Sequence, residues 1–96
     1  VRIFNDRGAC LAGVLFTDTI RTGVIELPTG AWYEPLDYSD PDSLEVHGNP
    51  NVLTRDVGTS KLGQGPTAHS CLVEVELFTQ PLPEIRSFRQ PKLVRD

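Results

Sequence analysis

The side chains best suited to holding a ligand crowd between Gly48 and His69. Gly58-Thr59-Ser60-Lys61-Leu62-Gly63-Gln64-Gly65 brings three glycines, two hydroxyls, one ammonium and one carboxamide into eight residues. Glycines let backbone N–H groups approach a bound molecule closely. Hydroxyls and Lys61 add donors, and Gln64 adds a planar edge that both donates and accepts. Such a set suits a phosphate or a flat heterocycle. It matches neither the phosphate loop G-x-x-x-x-G-K-[ST] nor the G-x-G-x-x-G fingerprint after a strand. By composition alone, an ordinary glycine-rich loop is the better account. Asn49 and Asn51 bracket Pro50 and carry a similar choice. They make either plain turn chemistry or an amide held rigidly to read a heterocycle edge.

Other chemistries find less support. There is no G-x-S-x-G elbow, and His47 and His69 sit in different contexts without a third orienting group, so nucleophilic catalysis is not indicated. Asp37, Asp40 and Asp42 do not fit the spacing of a calcium loop. Cys10 and Cys71 lack C-x-x-C spacing, which argues against a metal site built on them. Cys71 reads as a buried thiol. Trp32 and Tyr33, at the end of a short extended piece, read as packing rather than a stacking platform. No residue of this chain is predicted to be catalytic.

These side chains need a frame, and the frame predicted is all-β. The 96 residues allow one domain with a modest core. Gly and Pro punctuate short apolar runs at the rhythm of a small β domain. Val1–Phe4 and Ala9–Phe16 are predicted to pair as a hairpin across Asn5-Asp6-Arg7-Gly8, with Gly8 at positive φ. A short helical turn is expected over Thr17–Thr22, ended by Gly23. Val24–Leu27 reads as another strand, and Asn51–Thr54 as short and extended. Residues 34–50, with five carboxylates and three prolines, read as a solvated loop. Ser70–Phe78 is the clearest strand, with Cys71, Val73, Val75 and Leu77 on its inner face and Glu74 and Glu76 turned to water. Each fully buried Val or Leu there is worth about 1.5–3 kcal/mol.

Net charge is −4. Arg86, Arg89, Lys92 and Arg95 lie at 79–96 in a Pro-rich, basic tail expected to be flexible and mostly without fixed structure, leaving an acidic body. That balance argues against a nucleic-acid surface, and no apolar run is long enough to insert in a membrane. It is compatible with a dinucleotide, whose few phosphates can be held by backbone N–H groups and one or two cations.

Taken as words rather than composition, FNDRG, GVIELPTGAWYEP, HGNPNVLTRDVGTSKLGQG and AHSCLVEVE resemble the C-terminal domain of the dimethyl-sulfoxide-reductase family, nearest its biotin sulfoxide reductase and trimethylamine-N-oxide reductase branch. The resemblance covers residues 1–78. It implies a six-stranded double-psi β-barrel with short helical turns. It implies bis-molybdopterin guanine dinucleotide carrying molybdenum as cofactor, and a parent oxidoreductase that reduces S-oxides or N-oxides. The partners implied are the catalytic domains of that molybdoenzyme. Relatives of this kind occur in the cytoplasm or the periplasm. The family's amide at the matching NVLT position makes Asn51 the leading cofactor contact, followed by Ala68 and His69 just before the last strand. At that second place many relatives have Gly-Gln, and His69 departs from the pattern. Lys61 and Gln64 are added on chemistry. The resemblance implies no metal ligand in this stretch.

In the family, a strand rich in small residues precedes the one matching Val1–Phe4. The barrel is therefore expected to be incomplete at its N-terminal end, with an unpaired edge, and the chain alone to be marginally folded or prone to aggregate. Two alternatives stand beside the cofactor domain: a β-barrel interaction module without cofactor, and a non-functional fragment.

Overall fold

A computed structural model describes residues 1–65, 70–91 and 93–94. Three short strands form an antiparallel sheet in the order β2-β1-β3: β1 (Arg2–Phe4), β2 (Ala9–Leu11) and β3 (Glu74–Glu76). The registers are Ile3 opposite Cys10 and Ile3 opposite Val75. Among the described residues the sheet does not close, and the fold is all-β in this coarse sense.

The β1–β2 hairpin forms for local reasons. The Asn5 side-chain carbonyl accepts from the backbone N–H groups of Arg7 and Gly8, and the Asn5 N–H donates to the Gly8 carbonyl. This is a turn that Asn makes with its own backbone. Gly8 does not adopt the positive φ expected of it; positive values occur at Gly23, Gly30 and Gly48. Its requirement is space instead. A Cβ at position 8 would lie 2.6 Å from the Val52 carbonyl oxygen.

Residues 34–46 correct the expected solvated loop. They fold back as two extended arms beside β2, joined by a polar tip. Cys10 bridges in parallel to Glu45, and Pro35 bridges antiparallel to Glu45. Leu11 N–H donates to the Glu45 carbonyl, Glu45 N–H to that of Ala9, Val46 N–H to Glu34 and Leu36 N–H to Leu44. The hydrogen-bonded ladder therefore runs 34–36, 44–46, β2, β1, β3. Pro35 favours extended backbone at Glu34, and Asp37 and Asp40 close the tip through bonds to Ser39 and Asp42.

Four further expectations change. Thr17–Thr22 is not helical; a turn with Val24 N–H on the Arg21 carbonyl stands there. Val24–Leu27 has no ladder partner among the described residues. Asn51–Thr54 is not extended, because Pro50–Val52 forms a single 3-10 turn, as Pro at the first position favours. Ser70–Phe78 is strand only over Glu74–Glu76.

The core is small: Ile3, Cys10 and Leu53, with Val1, Ala12, Leu27, Val52, Cys71 and Val73 packed around them. The inner face predicted for the last strand is thus only half-buried at Cys71 and Val73, while Val75 is half exposed and Leu77 is 81% exposed. The described chain supplies no layer to cover its second half.

Candidate functional site

Asn51 sits on the 3-10 turn, and the turn is heavily braced from beneath. Glu45, fully buried, accepts the backbone N–H groups of His47 and Asn49, each at 2.6 Å. Gly48 between them is at φ +77°, a backbone conformation that side chains with a Cβ rarely adopt. Asn49 is itself buried. Its Nδ2 donates to the Ala31 carbonyl at 3.0 Å, and its Oδ1 accepts from the Asn51 N–H at 2.9 Å. Asn49 is therefore the N-cap of the turn, and Leu53 N–H closes it on the Pro50 carbonyl. The two asparagines divide the roles that the sequence left open. Asn49 does the turn chemistry, and Asn51 presents an exposed side chain whose amide has no partner among the described residues.

The turn borders an open apolar groove of about 600 Å³, lined by Pro50, Leu53 and Thr54 on this side and by Ile3, Cys71 and Val73 on the other. Asn51 lies between groove-lining neighbours in sequence. Its own side chain is exposed and does not line the groove.

The glycine-rich loop folds on itself. Thr59 N–H donates to the Gly65 carbonyl, and Ser60 N–H to that of Gly63. The Thr59 and Ser60 hydroxyls both reach the Gly63 carbonyl. Gln64 Nε2 donates to the carbonyls of Ser60 and Lys61 at 2.6 and 3.3 Å. The Gln64 amide thus shapes the loop, and Lys61 is left exposed without an ion pair among the described residues. Among the described residues no hydrogen bond joins this loop to Asn51. Ala68 and His69 lie outside the described residues.

Tests of the remaining chemistry are brief. No group of three or more His, Cys, Asp or Glu able to hold a metal ion occurs among the described residues, and no helix there is long and apolar enough to cross a membrane. Both cysteines are free. Burial first, and then the nearby Glu45 carboxylate, push the Cys10 thiol up to about 11, which makes it inert as a nucleophile. Cys71 is half-buried at the groove wall.

Sequence reasoning missed two buried carboxylates. Besides Glu45, Glu34 is 1% exposed. It accepts the backbone N–H groups of Arg86 and Ser87 and the Ser87 hydroxyl. Burial raises its pKa, but these bonds and the Arg86 guanidinium outweigh it and hold the carboxyl below its ordinary value. Part of the basic segment is thereby fixed to the body, and Phe88 packs edge-on against His47 at 5.1 Å. The signal available was Leu44-Glu45-Val46 and Glu34-Pro35, two extended-prone stretches each containing one carboxylate.

With this geometry in place, comparison with known proteins gives the class. Residues 1–72 match the molydopterin dinucleotide binding domain family, and the chain belongs to it. It is 46% identical over 92 residues to a dimethyl sulfoxide/trimethylamine N-oxide reductase of Rhodobacter capsulatus, covering 96% of this chain and 11% of that one. It is 54% identical over 76 residues to a biotin sulfoxide reductase of Cereibacter sphaeroides, covering 79% and 10%. A trimethylamine-N-oxide reductase of Vibrio vulnificus strain CMCP6 is 45% identical over 91 residues, covering 95% and 11%. The chain spans about a tenth of the length of these relatives.

The residues present fit such a ligand. An unpaired amide suits the edge of a pterin or purine, and an unpaired ammonium suits a phosphate. Gln64 does not offer its Nε2 unless the loop opens.

Proposed function

We propose that this chain holds a molybdopterin guanine dinucleotide within a larger oxidoreductase that reduces S-oxides or N-oxides. The observation that carries the proposal is the capped turn that leaves the Asn51 amide exposed next in sequence to groove-lining Pro50. Membership of the dinucleotide-binding family and the names of the relatives point the same way. When bound, the molybdenum group supplies oxygen-atom and two-electron chemistry. The residues of this chain bind and orient it: Asn51 reads a ring edge, Lys61 offers a cation to a phosphate, and Gln64 keeps the Lys61 loop in shape. Ala68 and His69 are proposed as a second contact, where imidazole gives one hydrogen bond in place of an amide's pair.

Two further proposals follow from the open sheet. The five-segment ladder is compatible with a six-stranded double-psi barrel that closes with an additional strand. The exposed apolar side chains at Val14, Leu15, Phe16 and Leu77 suit burial against the catalytic domains of the parent protein.

The test is Asn51→Ala in the full-length protein. One hydrogen bond is worth about 1–1.5 kcal/mol, so dinucleotide affinity is expected to fall roughly tenfold with an unchanged thermal unfolding profile. Molybdenum and guanine nucleotide per protein measure it. Unchanged content of both would overturn the assignment of Asn51.

A further inference from the structure

We infer that Glu45 and Asn49 are positioning residues for Asn51, forming a buried relay that fixes the point from which its side chain projects. The inference rests on the reading of Asn51 as a cofactor contact. Three features of the geometry support it. Glu45 is 0% exposed and Asn49 6% exposed, so neither can touch a ligand in the open groove. Both oxygens of Glu45 are engaged: Oε1 with the His47 N–H and Oε2 with the Asn49 N–H. Asn49 is engaged at both ends of its amide, by Ala31 and by the Asn51 N–H.

The consequence is a rigid path from the sheet to the turn. The backbone of Glu45 is fixed to β2 on both sides, through the Ala9 carbonyl and the Leu11 N–H. Its carboxylate fixes the N–H of Asn49. Asn49 in turn fixes the N–H of Asn51 and, through the Ala31 carbonyl, the segment that precedes Trp32. Anchoring the backbone of Asn51 removes part of the ordering cost of binding, which raises affinity without adding a contact. The 3-10 turn is only three residues long and has few bonds of its own, so its orientation depends on this cap.

The relay also explains why a carboxylate is buried here without a cation. Two backbone N–H groups at charge-assisted distance satisfy it. A neutral amide at position 45 would present one oxygen acceptor and one NH₂ donor, and could match only one of those two N–H groups.

A double-mutant cycle in the full-length protein tests the inference, read as guanine nucleotide retained per protein after dialysis. Asn49→Ala removes the cap and is expected to lower affinity about threefold to tenfold. Asn49→Ser restores an N-cap oxygen and is expected to recover most of that loss. In the Asn51→Ala background, Asn49→Ala should cause no further loss, because it acts only through Asn51. Glu45→Gln should follow the pattern of Asn49→Ala. If Asn51→Ala lowers retention but Asn49→Ala does not, or if the two losses simply multiply, the reading of Asn51 stands and the relay is overturned. If Asn51→Ala itself leaves retention unchanged, the cofactor reading falls and the relay falls with it. Thermal unfolding of each variant, compared with the parent, separates positioning from general loss of fold.

Discussion

At the scale of single residues, the molecule is organised by polar groups in unexpected places. Glu45 is buried without a basic partner and satisfied by two N–H groups. Truncating it to Ala leaves both N–H groups unpaired, each costing about 1–3 kcal/mol. Glu45→Ala in the full-length protein is therefore expected to lower stability by about 3 kcal/mol, measurable as a shift in the denaturant midpoint with an unchanged slope. Cys10 provides a second check. With its thiol pushed from 9.0 to about 11, its thiolate fraction at neutral pH falls about a hundredfold. Alkylation by iodoacetamide is expected to label Cys10 at least that much more slowly in the folded protein than after unfolding in urea. Equal rates would show that the pocket around Cys10 opens readily. The sequence marked Asn51 as a place to look, because Gly-Asn-Pro-Asn is turn chemistry with an amide to spare. The resemblance alone singled out Asn51; the residues themselves did not separate it from Asn49. That division depends on Ala31 and Glu45, which no local pattern connects to the turn.

At the scale of elements, legibility follows the range of the contacts. The β1–β2 hairpin was legible because Asn5 makes its turn with residues two and three positions on. The arms at 34–36 and 44–46 were not, because their partners lie on β2 and in the segment around Arg86, which is 52 positions from Glu34. Five acidic residues outweighed two short extended stretches, and the region read as solvent-exposed. The bond set at Glu34 gives the arm a pH dependence. A carboxyl held below its ordinary 4.5 contributes stability that is present above the unfolded pKa and lost as pH falls through the lowered folded value. The attachment of Arg86 and Ser87 is thus expected to persist at neutral pH and to release below the usual carboxylate range. Amide proton shifts of Arg86 and Ser87 followed from pH 7 to pH 2 should move together in one acid transition, and Glu34→Gln should abolish it. Movement centred near neutral pH would rule out Glu34 as the group that releases the segment. Gly8 marks a third contact between elements. Its missing Cβ lets the hairpin turn sit against Val52. Gly8→Ala must displace the 3-10 turn and is expected to destabilise by about 1–3 kcal/mol, lowering nucleotide retention along with stability.

At the scale of the whole molecule, the balance of buried and exposed apolar surface separates a domain from a free protein. A compact chain of this length has a radius of gyration of about 12.5 Å, whereas this one measures 15.7 Å with extents of 49 × 39 × 23 Å. Leu15 is 88% exposed, Phe16 93% and Leu77 81%, and all three line one open trough of about 800 Å³ with Val14, Val24 and Ile25. Scattered exposed apolar residues are ordinary, but a continuous band is not. The short matches to relatives about nine times longer give a physical reason: the rest of such a protein would supply the missing layer. One substitution compared in two contexts decides the matter. In the isolated chain, Phe16→Ser removes a side chain already in water and should change stability by less than about 0.5 kcal/mol. In the full-length protein the same side chain would be buried, and the substitution should cost about 3 kcal/mol or more, as truncating a buried Phe does. A small effect in both contexts would leave the band exposed in the parent and would sink the proposal that the catalytic domains cover it. A large effect only in the long chain would show that this sheet completes its core with residues from elsewhere in the protein.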